Sequence, residues 1–297
     1  MEGVVTVLKP PGMTSSNAVY DARRIFGQKR AGHLGTLDPG AAGVLPVCLG
    51  RATRLFDYLV DKDKEYIFEL ALGIATDTQD VYGRVTAQSP RMVQRRELEA
   101  LLPGFLGVQE QKASIYSALK VDGQKMYDLA RSGKPVEPKS RKIDISKLEL
   151  LAQLGENRFL LRIRCSRGTY VRTVCADMGE RLGAFGHMAF LLRTASGPFT
   201  LENAYTIGEL EAARDAGTLP ERVTSCEAAL AHLSALTLPK ARRIPTLNGL
   251  ETGVKDAPEG DVRLYCPDFL GVGRVQRGTA KLVVHLYDAQ EWNSLPQ

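Results

Sequence analysis

Metal and disulfide patterns are missing from this sequence. Its five cysteines (Cys48, Cys165, Cys175, Cys226, Cys266) form no C-x-x-C pair, so neither a zinc knuckle nor a disulfide framework is expected. Its four histidines (His33, His187, His232, His285) make no H-x-x-x-H or H-x-E pattern, and no metal site is expected. No G-x-x-x-x-G-K-[ST] and no G-x-G-x-x-G occurs, which removes support for nucleotide-cofactor folds. Ser117-Ala-Leu-Lys120 fits S-x-x-K, but the S-D-N and K-T-G partners of that chemistry are absent. There is no internal repeat and no low-complexity tract. The most apolar stretch, residues 31–50, is broken by Pro39 and Pro46 and carries Asp38, so it does not read as a membrane span. The opening MEGVVTVLKPPG has too short an apolar run for a signal peptide. A cytoplasmic protein without membrane contact is the expectation.

What is present is an ordinary globular composition, 44% apolar and 25% charged, enough for a sizeable core without staples. The net charge of +5 is unevenly placed. Between Lys112 and Lys147 stand nine Lys/Arg against four acids, with Tyr116 and Tyr127 among them. That stretch reads either as a solvated loop or as an arm that tracks a phosphate backbone.

Local patterns predict the elements. Residues 2–8 read as a strand, and residues 14–26 as a helix with Thr14, Ser15 and Ser16 as N-cap candidates and Gly27 closing it. AGHLGTLDPG reads as a loop. In Tyr66–Leu72 the even positions are apolar, the mark of a half-buried strand, and Arg158–Ser166 alternates in the same way with a basic outer face. Residues 95–102, 121–132 and 169–182 carry helical spacing, and Thr206-x-x-Glu209 is a capping box. The loop ATDTQDVYG does not match a calcium loop. After about residue 236 short strands and turns take over. The expectation is a large domain over 1–236 with a basic insertion at about 112–147, and a small β-rich domain over 237–297.

Asp38 sits alone in AGHLGTLDPGAAGVL, residues 31–45. Asp-Pro-Gly is strong turn chemistry. A carboxylate in a glycine-lined pocket is also what a catalytic site needs, and the segment alone leaves both readings open.

Five segments settle the family resemblance. They are LKPPGMTSSNAV (8–19), AGHLGTLDPGAAGVLPVCLGRATRL (31–55), KEYIFELALGIATDTQDVYGRV (64–85), YSALKVDGQKMYDLARSG (116–133) and CSRGTYVRTVCADMGERLG (165–183). In this order and spacing the set resembles the bacterial tRNA pseudouridine-55 synthases, the TruB family, over most of residues 3–200. The resemblance implies an α+β pseudouridine-synthase core, a mixed and mainly antiparallel sheet flanked by helices, with a C-terminal PUA-like domain. It implies isomerisation of a T-loop uridine of tRNA, without metal or organic cofactor. The expected partner is the tRNA T-arm, with no protein partner required and a monomeric enzyme.

By the same resemblance Asp38 matches the essential carboxylate, Tyr66 the tyrosine on the base, and Arg172 the basic residue, with substrate-binding Tyr170 before it. Leu191 falls where an apolar residue meets the base, and His33 where a histidine neighbours the flipped nucleotide. The insertion matches a thumb against the T-arm, with Lys139, Arg141 and Lys142 as its RNA contacts. Ordering of that thumb only on RNA is expected. The chemistry agrees with these residue types. Uracil must be detached, turned and rejoined through C5, and a carboxylate attacking C1′ or C6, or deprotonating C2′, must be ionised. Burial alone would neutralise it, and a bidentate guanidinium reverses that. The chain departs from the family pattern at Lys112-Ala-Ser114, where a proline pair is common, and at Thr194, where a bulkier residue is usual. Two alternatives remain at this level: an RNA-binding or RNA-folding module without catalysis, and a synthase acting on another RNA.

Overall fold

A computed structural model describes residues 1–60, 62–112, 120–121, 124–125 and 140–286. Its frame is a ten-stranded sheet, in which the strands run Val223–Thr224, Gly3–Lys9, Ala42–Leu49, Gly186–Ser196, Lys64–Leu72, Arg158–Cys165, Ser140–Gly155 and Gly107–Lys112, with Ala31–His33 and Phe199–Thr200 at the side. Every pairing in it is antiparallel except one: Gly186–Ser196 lies parallel to Ala42–Leu49, through Leu192↔Ala42 and Arg193↔Gly43. That junction joins the N-terminal strands to the rest of the sheet.

The alternation seen in sequence becomes a two-faced sheet. Phe68, Leu70 and Leu72 of one strand and Phe159, Leu161 and Ile163 of its neighbour are buried, and the helix Val171–Arg181 covers them with Val174, Cys175 and Met178. The helix Ser15–Ile25 packs on the same core through Ala18, Ala22 and Ile25. Thr14 is its N-cap and accepts from the Asn17 amide at 3.1 Å. The capping box at Thr206 starts the helix Ile207–Asp215.

A second sheet, of Ser234–Thr237, Gly260–Tyr265, Phe269–Gln276, Thr279–His285 and Thr252–Gly253, forms the C-terminal β-rich part. It has its own core of Leu238, Val262, Leu264, Leu270 and Val275. A further cluster joins Phe269, Val272 and Leu286 to Val4, Val44 and Leu55, so the two sheets share apolar surface. All five cysteines are buried free thiols. Among the described residues no helix is long and apolar enough to cross a membrane.

Three readings shift. Ala31–His33, read as loop, is a short strand that gains backbone partners along Val47–Leu49. The helix expected over 121–132 does not begin there, because Lys120–Val121 and Gln124–Lys125 pair as a hairpin; the rest of that segment lies outside the described residues. Residues 140–147, assigned by sequence to the basic arm, belong to the strand Ser140–Gly155, of which residues 140–145 pair with Gly107–Lys112. Apolar Ile143 and Ile145, both buried, hold that strand to the sheet against the pull of its charges. The expected thumb ordering concerns residues outside the described ones.

Candidate active site

The loop of residues 34–41 leaves the strand Ala31–His33 and is anchored by buried Leu34, Leu37 and Ala41. The Ala41 amide donates to the Asp38 carbonyl at 3.0 Å, so Asp-Pro-Gly does make a turn. The turn and the site readings are both satisfied, one by the backbone of Asp38 and the other by its side chain.

The LKPPGMTS segment grips this loop from one side. Ser15 Oγ accepts from the Leu37 amide at 2.9 Å and donates to the Leu37 carbonyl at 2.8 Å. The Gly12 amide donates to the Pro39 carbonyl at 2.8 Å. Lys9, wholly buried, donates from Nζ to the carbonyls of Met13 at 2.7 Å, Pro10 at 2.9 Å and Pro39 at 3.2 Å. Burial, opposed by the Asp38 charge, leaves the Lys9 ammonium easier to deprotonate than an ordinary lysine. From the other side Arg193 donates to loop carbonyls. Sequence reading singled out neither Lys9 nor Arg193. No local pattern marks a cation that will be buried among carbonyls.

So held, Asp38 faces a cleft of about 370 Å³ that is also lined by His33, Tyr66, Tyr170, Arg172 and Leu191. That volume falls in the range of roughly 300–1,000 Å³ usual for small-molecule sites. Arg172, on the first turn of the helix Val171–Arg181, brings Nε to 3.2 Å from Asp38 Oδ2. Its Nη1 lies 3.6 Å from Asp80 Oδ2 and donates to the Thr78 carbonyl at 3.2 Å. Thr78 Oγ1 in turn donates to Asp80 Oδ1 at 2.7 Å. The loop dismissed as a failed calcium site thus positions the arginine. Its sequence signals were its place in the segment 64–85 and two acids among threonines with no cation yet assigned to them.

One expectation is corrected. The Asp38 side chain keeps 45% of its exposure while that of Arg172 keeps 8%. The cleft is open on the side of Asp38, so the chain alone does not bury the carboxylate whose burial was expected. It supplies a buried, pre-aimed guanidinium with the carboxylate at the cleft's edge.

The other sequence candidates are distributed as follows. Tyr66 and Phe68 stand opposite Arg193 and Leu191 across two antiparallel strands, which puts the tyrosine ring and Leu191 on one face. Burial pushes the Tyr66 phenol above its ordinary range. Tyr170 precedes the helix, and its backbone exchanges hydrogen bonds with the Gln111 amide at 2.8 and 3.0 Å. Arg141 lies 5.3 Å from the Tyr170 ring centroid and donates to the Gly168 carbonyl at 3.1 Å. It is tied into the cleft wall rather than projecting from an arm. Lys142 is exposed on the strand and is not part of the cleft, and Lys139 lies outside the described residues. His33 has a buried Nδ1 without a partner; burial first, and the nearby Arg193 charge second, favour its neutral form. Among the described residues no three His, Cys, Asp or Glu side chains are grouped to hold a metal ion.

Comparison with known proteins adds the following. Residues 23–171 match the TruB family pseudouridylate synthase N-terminal domain, and residues 172–231 the tRNA pseudouridylate synthase B C-terminal domain. The chain is 46% identical over 235 residues to tRNA pseudouridine synthase B of Pelotomaculum thermopropionicum, covering 77% of this chain and 74% of that one. It is 41% identical over 282 residues to the protein of the same name from Azoarcus sp., covering 95% and 93%. Among solved structures, the archaeal box H/ACA sRNP Nop10-Cbf5 complex matches with a TM-score of 0.70 at 23% identity, covering 96% of this chain and 86% of that one. That likeness is one of fold.

Proposed function

The chain belongs to the TruB family of pseudouridylate synthases, and from that premise we propose that it isomerises uridine 55 in the T loop of tRNA, with Asp38 as the essential carboxylate. The observation that carries the reading is the Asp38–Arg172 pair at 3.2 Å on a cleft with room for a nucleobase.

The target uridine is stacked inside a folded loop and must be swung out at a cost of a few kcal/mol. Neutral His33, at the cleft's rim, takes the vacated place by stacking. Tyr66 and Leu191 clasp the extruded uracil, and Tyr170 supports the nucleotide from the helix side. Entry of the nucleotide covers Asp38 and removes the water that now reaches it. The Arg172 charge then keeps the carboxylate ionised. The N1–C1′ bond breaks, uracil turns, and C5 joins C1′. The C5 proton departs, N1 gains one, and the product is an isomer of the substrate. Attack of Asp38 at C1′, attack at C6 and proton removal at C2′ all need the same anion in the same place. The Tyr66 hydroxyl is the nearby group placed to relay the C5 proton, taking it up as it passes its own proton on. No step calls for a metal or an organic cofactor.

The test is tritium release from a T-arm hairpin carrying C5-labelled uridine. The wild-type chain releases tritium and Asp38→Asn binds the hairpin without release. Equal release by both removes Asp38 from the reaction. Faster release from a ribosomal hairpin than from the T-arm moves the substrate away from tRNA position 55.

A further inference from the structure

Arg193 belongs to no motif read from the sequence, yet at 1% exposure it is the bulkiest fully buried side chain of the catalytic part. Among the described residues no carboxylate pairs with it. Its partners are backbone carbonyls: Nε donates to Val44 at 2.7 Å, Nη2 to Gly35 at 3.2 Å and Nη1 to Thr36 at 3.4 Å. A buried cation satisfied only by neutral dipoles is unfavourable beside an apolar residue of similar size. Something other than packing must therefore account for a guanidinium here.

The placement of those carbonyls supplies the account. Gly35 and Thr36 precede Asp38 and Val44 follows it, so one planar group fastens both ends of the Asp38 loop. On its other flank Arg193 stands directly opposite Tyr66 in the strand register, so the two side chains share one face of the sheet. Asp38, Tyr66 and Arg193 line one cleft. A lysine has no planar fork and cannot hold carbonyls at both ends of the loop in the same way.

We infer that Arg193 is a positioning residue for the isomerisation, which holds the Asp38 loop rigid against the strand face that carries Tyr66. The inference rests on the reading that Asp38 and Tyr66 serve the reaction.

Arg193→Met and Arg193→Lys in the full chain test it. Three readouts are needed: the single-turnover rate at saturating T-arm hairpin, hairpin affinity, and amide exchange in residues 34–44. Arg193→Met lowers the saturated rate about 100-fold with affinity within about threefold, and Arg193→Lys recovers about tenfold of that loss. Exchange in residues 34–44 quickens in Arg193→Met while the C-terminal sheet keeps its protection. An unchanged rate in a folded Arg193→Met chain overturns the inference, as does a matched fall in rate and affinity. Loss of cooperative melting in both variants assigns the guanidinium to fold stability alone and overturns it too. A wild-type chain without turnover ends the functional reading instead, and the exchange measurement still reports whether Arg193 holds the loop.

Discussion

In the Asp38–Arg172 pair it is the cation that is buried: Nε and Oδ2 are 3.2 Å apart, with 8% of the arginine side chain exposed and 45% of the aspartate. A guanidinium cannot shed its charge on burial, whereas a carboxylate can take up a proton. The fold therefore buries the group whose charge is permanent and leaves the titratable one for the ligand to cover. Arg172→Met then strands two carboxylates without a shared cation. The expected loss in turnover is about 10²–10³-fold, the scale of removing one preorganised charge partner. Hairpin affinity stays within about threefold, because the residue acts on the carboxylate rather than on phosphate. Stopped single-turnover assays with parallel binding measurements check this, and a matched fall in both quantities contradicts it.

Asp80 extends the same argument. Its Oδ2 lies 3.6 Å from Arg172 Nη1, and its Oδ1 accepts from Thr78 Oγ1 and from the Tyr82 amide at 3.1 Å. Asp80→Asn keeps an oxygen for those donors and removes the charge that steadies the guanidinium. The Arg172 guanidinium then loses one of its charged neighbours, and its aim at Asp38 is less tightly fixed. A misplacement on the order of 1 Å lowers rate by about 10²-fold, and that fall in the saturated rate is the expected outcome. Asp80→Glu, with the charge retained at a longer reach, falls between wild type and Asp80→Asn in the same assay.

Ser15 links catalysis to stability. Ser15→Ala strips the buried Leu37 amide and carbonyl of their hydroxyl partner. Each buried group left unsatisfied costs about 1–3 kcal/mol. A destabilisation of about 2–4 kcal/mol is expected, with an unchanged urea m-value because the surface exposed on unfolding is the same. A loss under about 0.5 kcal/mol means that water or a shifted backbone replaces the hydroxyl.

Short-range physics explains which features the sequence disclosed. Tyr66 to Leu72 alternates because one face of its strand meets the helix Val171–Arg181, and that pattern needs no knowledge of the partner. The same holds for the Thr14 cap and the Thr206–Glu209 box, whose bonds span three residues. Asp80, Lys9 and Arg193 were not legible, since their partners lie in segments distant along the chain or are backbone atoms of any residue type. The neighbours of Arg141 were not legible for a related reason, since Tyr170 and Gly168 reach it only through strand pairing. The site residues Asp38, Tyr66, Tyr170 and Arg172 were named through family resemblance; composition and spacing alone gave a turn, a strand tyrosine and a helix arginine.

Histidine burial sets an acid-side stability limit. His33, His232 and His285 all have pKa values lowered by burial first and nearby cations second, with Arg193 the cation beside His33. The unfolded chain gains protons as pH falls through about 6.5, while the folded chain resists them. The unfolded state then binds more protons, so the histidine contribution to stability drops as pH falls from about 7.5 to 5.5 and is constant above that window. His33→Gln removes one of the three contributions, and its urea midpoint declines less steeply over the same range than that of wild type. Parallel declines in the two chains show that His33 is not part of this linkage.

Gly43 tests the junction on which the site is built. Its φ of +112° is hostile to any side chain, and a Cβ there would overlap the Arg193 carbonyl oxygen across the parallel pairing. Gly107 makes the control, since its φ of +84° is also positive but nothing lies within 4 Å of the Cβ position. Left-handed backbone alone costs an L-residue about 1–2 kcal/mol, the loss expected for Gly107→Ala. At Gly43 the overlap is with backbone, which cannot rotate aside as a side chain does. Gly43→Ala must part Ala42–Leu49 from Gly186–Ser196, at a cost of about 3 kcal/mol or more. Because Arg193 sits on that seam, turnover in Gly43→Ala falls by more than its loss of stability accounts for, when rates are compared at a temperature where both variants are folded. Equal urea midpoints for the two alanine variants would show that the seam yields, and that the Asp38 loop is not held by the close approach of these strands.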